Sequence, residues 1–200
     1  VLELFAKKQK DDPLTDEVSI KVALNAIIDE EVERFGSHPT VNILLQQQSL
    51  RERLMRFAVI QAKWAQEGWR VEGTEIPYFT KPFNELDVSI KGFVDRVDYR
   101  ELPDGGKEFR IIDYKTWDDF ESAKRLHLRT GAAKQILFAE RLKLPTMLER
   151  NKPVRMLTVQ LPLYGECLKA QFPERFNGPI TGFDYLVLSE DKVDVLSAKD

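Results

Sequence analysis

Apolar residues recur at helical spacing in the first third of the chain and at strand spacing in the middle third, so the pattern alone divides the sequence. A helix is expected from Thr15 to Phe35. Thr15 caps it, Val18, Val22, Ala26 and Ile27 form its apolar face, and Gly36 stops it. Ser49 is expected to cap a second helix running to about Gln66. Leu50, Leu54, Phe57, Ile60, Ala62 and Trp64 are its apolar positions and Gly68 its end. After Gly68 the period changes. The segments WRVEGTEIPYF, LDVSIKGFVDRVDYR and KEFRIIDYKTW carry β-branched and aromatic residues at strand spacing. Lys81-Pro82 and Asn84 separate the first two, and Pro103-Asp104-Gly105-Gly106 separates the last two. Three consecutive strands with short connections predict an antiparallel meander. A mostly helical stretch with breaks at Gly131 and Pro145 is expected next, then a helix from Met156 to Ala170 despite Pro162, and a final strand in ITGFDYLVLSED.

Helices, three strands, helix and strand, in that order, predict an α/β layer fold rather than a bundle or a sandwich. At 200 residues the chain is expected to form a single domain. Its parts would be a helical region over 1–68, a three-strand core over 69–117, a basic helical insertion over 118–155, and a helix plus final strand over 156–200. The N-terminus VLELFAKKQKDD lacks both an initiator Met and a leader pattern, so the sequence reads as a piece of a longer, cytoplasmic protein.

Composition narrows the chemistry. With 42% hydrophobic and 32% charged residues, the chain has enough apolar surface to offset chain entropy. No apolar run approaches the roughly 18 residues of a membrane span, so no membrane partner is expected. Cys167 is the only cysteine, which excludes an internal disulfide and any cysteine-only zinc or iron–sulfur site from this chain alone. His38 and His127 are the only histidines and read as ordinary surface or loop residues. A bound metal would therefore be a hard cation held by oxygen. The net charge of −3 is unevenly spread: between Glu121 and Arg155 nine basic residues face three acidic ones. Such a segment is either a polyanion-binding surface or a solvated helical face.

The stretch RIIDYKTW places Asp113 and Lys115 two apart, and hence on one face of a strand. A D-x-K tripeptide by itself says little, but the preceding strand carries GFVDRVD, with Asp95 in an otherwise apolar run. If the two strands pair through the Pro103–Gly106 turn, both carboxylates project into one region. They repel each other unless a cation lies between them. Asp95 and Asp113 are therefore expected to ligate Mg²⁺ or Mn²⁺, with the Tyr114 backbone carbonyl as a third ligand and Lys115 facing the attacking water and the phosphate. The reaction expected of such a site is phosphodiester hydrolysis. Arg96 and Asp98 read as a supporting salt bridge. Trp64, Trp69 and Trp117 read as core or rim aromatics.

Glu75 in GWRVEGTEIPYF, Asp95 in GFVDRVD, Asp113 and Lys115 in IIDYKT, and Gln160 with Tyr164 in QLPLY form a combination more specific than any one motif. Over roughly Trp69 to Leu188 the sequence resembles the PD-(D/E)XK nucleases, and among them the RecB-like branch found in bacterial helicase–nuclease complexes. The resemblance implies a restriction-endonuclease-like core, a central mixed β-sheet flanked by helices. It implies Asp95 and Asp113 as metal ligands, Lys115 as the catalytic lysine, and Glu75 as the first acid, with Glu72 as its alternate if the strand register shifts. Gln160 and Tyr164, four apart on one helical face, would contact DNA or the lysine, and Thr116 joins them as a substrate-binding candidate. By the same resemblance the chain would be an exonuclease domain of a recombination or repair protein with a helicase partner. A non-catalytic DNA-binding or scaffolding module on the same fold is the alternative. The branch usually carries a histidine ahead of a stretch like VLELF. That histidine is expected upstream of Val1, and the chain is expected to be impaired without it. The four-cysteine iron–sulfur cluster of some relatives is not expected here.

Overall fold

The computed structural model describes residues 1–36, 38–82, 88–130, 146–149, 152–156 and 160–199, with side chains described outside 126–130, 146–156 and 198–199. Three helices come first: α1 (Leu2–Asp11), α2 (Glu17–Glu33) and α3 (Val41–Gln66). The meander follows as β1 (Arg70–Thr80), β2 (Ile90–Glu101) and β3 (Lys107–Trp117). Next come α4 (Phe120–His127) and the short strands β4 (Leu128–Thr130), β5 (Thr146–Glu149) and β6 (Lys152–Met156). Helix α5 (Gln160–Gln171) and the strands β7 (Ile180–Ser189) and β8 (Val193–Lys199) complete the chain. The five long strands lie in the order β1-β2-β3-β7-β8, and β5-β6-β4 extend the sheet beyond β8. Among the described residues only the β3–β7 pairing is parallel, so the sheet is mixed.

Alternation along the central strands explains why helices cover both faces. On β3 and β7, Ile111, Tyr185 and Val187 join a cluster with α4 and α5 through Phe120, Ala123, Leu161 and Leu168. Their neighbours Ile112, Leu186 and Leu188 instead pack with α1, α2 and α3 through Phe5, Leu24, Ile28, Leu54 and Phe57. The expected α/β layering is therefore present, with two apolar layers separated by the sheet.

Several expected boundaries and faces differ. Asp16, not Thr15, caps α2, its carboxylate accepting the Ser19 N–H at 2.8 Å. The expected apolar face of α2 is largely wrong: Val18 and Val22 are 72% and 64% exposed, while Ile20, Ala23, Leu24, Ile27 and Ile28 are buried. Helix α3 begins at Val41, eight residues before Ser49, although Leu54, Phe57, Ala62 and Trp64 are buried as expected. The basic segment is not mostly helical where it is described. Only α4 is helix, and β4, β5 and β6 are strands. Residues 131–145, with the breaks expected at Gly131 and Pro145, lie outside the described residues. The last helix starts at Gln160 because Met156 belongs to β6, and β8 was not anticipated.

One close approach ties the lead-in of β7 to the start of β3. A Cβ on Gly178 would stand 1.9 Å from the Lys107 carbonyl oxygen, and Phe109 N–H donates to the Pro179 carbonyl at 2.8 Å beside it. Because the clashing atom is backbone, Gly178→Ala is expected to cost about 1–3 kcal/mol. Urea unfolding checks this, and an unchanged midpoint would contradict it.

Candidate active site

The carboxylates meet because of strand register. Thr74 pairs with Arg96 and Ile76 with Val94, so Glu75 on β1 lies opposite Asp95 on β2. On the other side Arg96 pairs with Ile112, and one further step sets Asp95 beside Asp113 on β3. A bulge between Val71 and Gly73 precedes Glu75, whose φ of 46° is in the left-handed region that side chains rarely adopt. The alternation that would otherwise govern β1 is broken there, which is what lets Glu75 and the buried Ile76 both find their places. The β2–β3 pairing ends where the acids begin: the Asp95 carboxylate takes over a backbone donor there, accepting the Tyr114 N–H at 2.9 Å.

Asp113 is the best enclosed of the three, at 2% exposure. The Lys115 ammonium lies 2.6 Å from its Oδ2, but that oxygen accepts no well-aligned hydrogen bond among the described residues. Its other oxygen, Oδ1, accepts from Gln160 Nε2 at 2.9 Å, and the same amide nitrogen donates to the Tyr164 hydroxyl at 2.7 Å. Both amide N–H groups of Gln160 are thereby used, which fixes its orientation. Burial pushes the Asp113 carboxyl up, and the Asp95 charge adds to this against the opposing effect of Lys115. Glu75 is raised too, first by burial and then by Asp95 and Glu3, with Lys7 acting the other way. Burial also raises Tyr164, and the charges of Asp113 and Asp95 reinforce the shift, so it keeps its proton at neutral pH and has a hydroxyl hydrogen to donate.

Three acids in a row with an under-satisfied buried oxygen suit a hard divalent cation. Among the described residues no group of three or more His, Cys, Asp or Glu closes around one point by itself. Mg²⁺ does not need such a group, since it binds through one or two carboxylates and completes its shell with water and substrate phosphate. Asp95, Asp113 and the Tyr114 carbonyl remain the candidate donors, with Glu75 at the open side.

The other expected residues separate clearly. Glu72 is engaged by Arg175, whose Nε donates to it at 2.8 Å, so the register favours Glu75 as the acid facing Asp95. Gln160 and Tyr164 reach the cluster, but Gln160 bonds Asp113 rather than Lys115. Thr116 is not brought there. One residue past Lys115, it faces the opposite side of the sheet and lines a recess with Leu2, Leu45, Leu50 and Arg53. Strict period-two alternation from Asp113 would have shown this.

Arg96 and Asp98 sit behind the acids as a buried network. Arg96 binds both Asp98 oxygens, at 2.6 and 3.0 Å, and donates to Gln61 at 2.9 Å. Arg110 reaches Asp98 at 2.7 Å and stacks over Trp64 and Trp69. The expected salt bridge between Arg96 and Asp98 is therefore present, and Trp64 and Trp69 pack against the network. Sequence reading missed Gln61 and Arg110, whose pairing across helix and strand leaves no local signature.

A mixed five-strand sheet flanked by helices, with acids aligned across its meander and a lysine two residues beyond the last, defines the restriction-endonuclease-like class of α/β nuclease cores. A family model described as the PD-(D/E)XK nuclease superfamily matches residues 1–176. The chain belongs to that superfamily, a family of nucleases that generally use divalent metals such as Mg²⁺. Comparison with curated proteins returns no significant match. Among the described residues no helix is long and apolar enough to cross a membrane.

Proposed function

We propose that the chain is a Mg²⁺- or Mn²⁺-dependent deoxyribonuclease domain that hydrolyses phosphodiester bonds, working from strand ends, within a bacterial recombination or repair protein that also contains or recruits a helicase. The observation that carries the chemistry is the alignment of Glu75, Asp95 and Asp113 across three adjacent strands with Lys115 at 2.6 Å from Asp113. The exonucleolytic mode, the DNA preference and the helicase partner rest on the sequence resemblance to the RecB-like branch.

Asp95 and Asp113 would hold the metal with the Tyr114 carbonyl, and Glu75 would complete the donor set or orient its water. When bound, the metal polarises the phosphoryl oxygen and lowers the pKa of a coordinated water. Lys115 stands where it can orient the attacking water and offset negative charge developing on the phosphate. Gln160 holds Asp113 through Oδ1, so the cation would share Oδ2 with Lys115. Tyr164, still protonated, offers its hydroxyl hydrogen to a substrate oxygen.

The test is incubation of the protein with end-labelled single-stranded and duplex DNA, with and without Mg²⁺ or Mn²⁺. Metal-dependent release of short products from an end, abolished in Asp113→Asn, is expected. Absence of cleavage together with Mn²⁺ binding that does not depend on Asp95 would leave a non-catalytic DNA-binding module in its place.

A further inference from the structure

Beside the acid row, at the free edge of the sheet, α1 lies against β1 and encloses a groove of about 260 Å³. Its rim is basic. Lys7 and Lys10 come from α1, and Arg175 comes from the turn after α5, over a floor that includes Gly73 and Thr74. We propose that this groove is a subsite for a backbone phosphate of the nucleic-acid strand, placed on the Glu75 side of the acids and separate from the metal-binding acids. The proposal deepens the nuclease reading and rests on it.

Three observations support it. The groove is adjacent to the chemistry, because its floor residue Thr74 directly precedes Glu75 on β1. Its cations are held in place. Arg175 donates from Nε and Nη2 to the Glu72 carboxylate and carbonyl, and Lys10 donates to the same carbonyl at 2.6 Å. Lys7 is paired with Glu3 on α1, whereas Lys10 and Arg175 keep capacity to spare. Among the described residues Lys10 has no carboxylate partner, and the Arg175 Nη1 hydrogens have none either. Gly73 matters to this arrangement, since a Cβ there would stand 2.7 Å from Arg175 Nη2, so the guanidinium lies directly over the strand. Tethered cations with unused donors suit a phosphodiester. It is an acceptor-only group that needs charge and hydrogen bonds but no base readout. A strand running along this edge would be gripped on one side of the bond to be cut, while the acids and Lys115 act on the next phosphate.

The test is the salt dependence of oligonucleotide binding, measured without divalent metal so that it can be read whether or not cleavage occurs. Removing one cation that neutralises a phosphate should flatten the slope of log K against log[salt] by about 0.9 for duplex and 0.7 for single strands. Lys10→Ala is expected to produce one such step and Lys7→Ala with Lys10→Ala up to two, while Lys63→Ala on α3, which lines a different pocket, leaves the slope alone. The form of DNA whose slope changes is the one seated in the groove. Both groove lysines are exposed, so loss of folding is not expected to obscure the result. A slope in Lys10→Ala equal to that of the unaltered protein overturns the subsite, even if Asp113-dependent cleavage is intact. A flattened slope in a protein that does not cleave would support the groove and count against the nuclease reading.

Discussion

Asp98→Ala is expected to be the most damaging single change to the fold, costing about 3–5 kcal/mol of a total that is roughly 5–15 kcal/mol for a protein. Asp98 is fully buried and is the shared counter-ion of Arg96 and Arg110, which are themselves 1% and 4% exposed. Removing the carboxylate leaves two guanidinium groups in a low-dielectric layer, Arg96 with Gln61 and the Tyr114 hydroxyl and Arg110 with Asp184 at 3.9 Å, besides the faces of two tryptophans. Thermal unfolding followed by circular dichroism should show a fall in Tm of roughly 6–20 °C. A loss under about 1 kcal/mol would mean the network is solvated or relaxes freely, contrary to its burial. The pH dependence has a definite sign. Burial alone would push the Asp98 carboxyl up, but Arg96 and Arg110 outweigh it and hold it below the usual range. Its contribution is therefore complete above the unfolded value near 3.9 and is lost as pH falls through the lower folded value, so variant and unaltered protein should converge only in strong acid.

That network marks where sequence reading stops. RIIDYKTW already fixed which side chains share a face, because alternation is a local rule, and it brought Asp113 and Lys115 together correctly. Asp95 followed because a short turn leaves only one simple way to pair β2 with β3. The choice between Glu72 and Glu75 was not local: it turned on a bulge and a left-handed residue that no alternation rule supplies. Helix α2 shows a second limit. EVSIKVALNAIIDEEVE is apolar on more than one stripe, so its sequence offers both a Val18–Val22 face and an Ile20–Leu24–Ile27 face. Only packing against α3 and the sheet decides between them. The short strands after α4 were hidden for a third reason. Their stability comes from pairing with one another and with β8, and their composition, mixed basic and apolar, suits a helix equally well. Lys7 and Lys10 are neighbours on α1, but Arg175 lies far along the chain, and nothing short of the fold brings it to them.

Asp113→Asn is expected to slow metal-dependent cleavage by at least about 100-fold while making the metal-free protein more stable at neutral pH, and the two signs together identify the site. The folded-state pKa of Asp113 is raised by burial and by Asp95, so its ionised form costs the fold energy at pH 7 that the unfolded chain does not incur. Asparagine keeps the shape and the oxygen that Gln160 bonds but removes that cost, so Tm at neutral pH should rise. The gain should shrink with falling pH and vanish below about 3.9, where aspartic acid is neutral in both states. A structural ion pair predicts the reverse: Asn would strand Lys115, lower stability and spare cleavage. Lys115→Ala completes the comparison. It removes the cation placed to orient the water and offset charge developing on the phosphate, so cleavage should fall by about 10²–10³-fold while Mn²⁺ binding persists. Residues that act on one reacting phosphate do not lose activity additively, so the double variant should be little worse than Asp113→Asn alone. Fully multiplicative losses would place Lys115 outside the step that Asp113 serves.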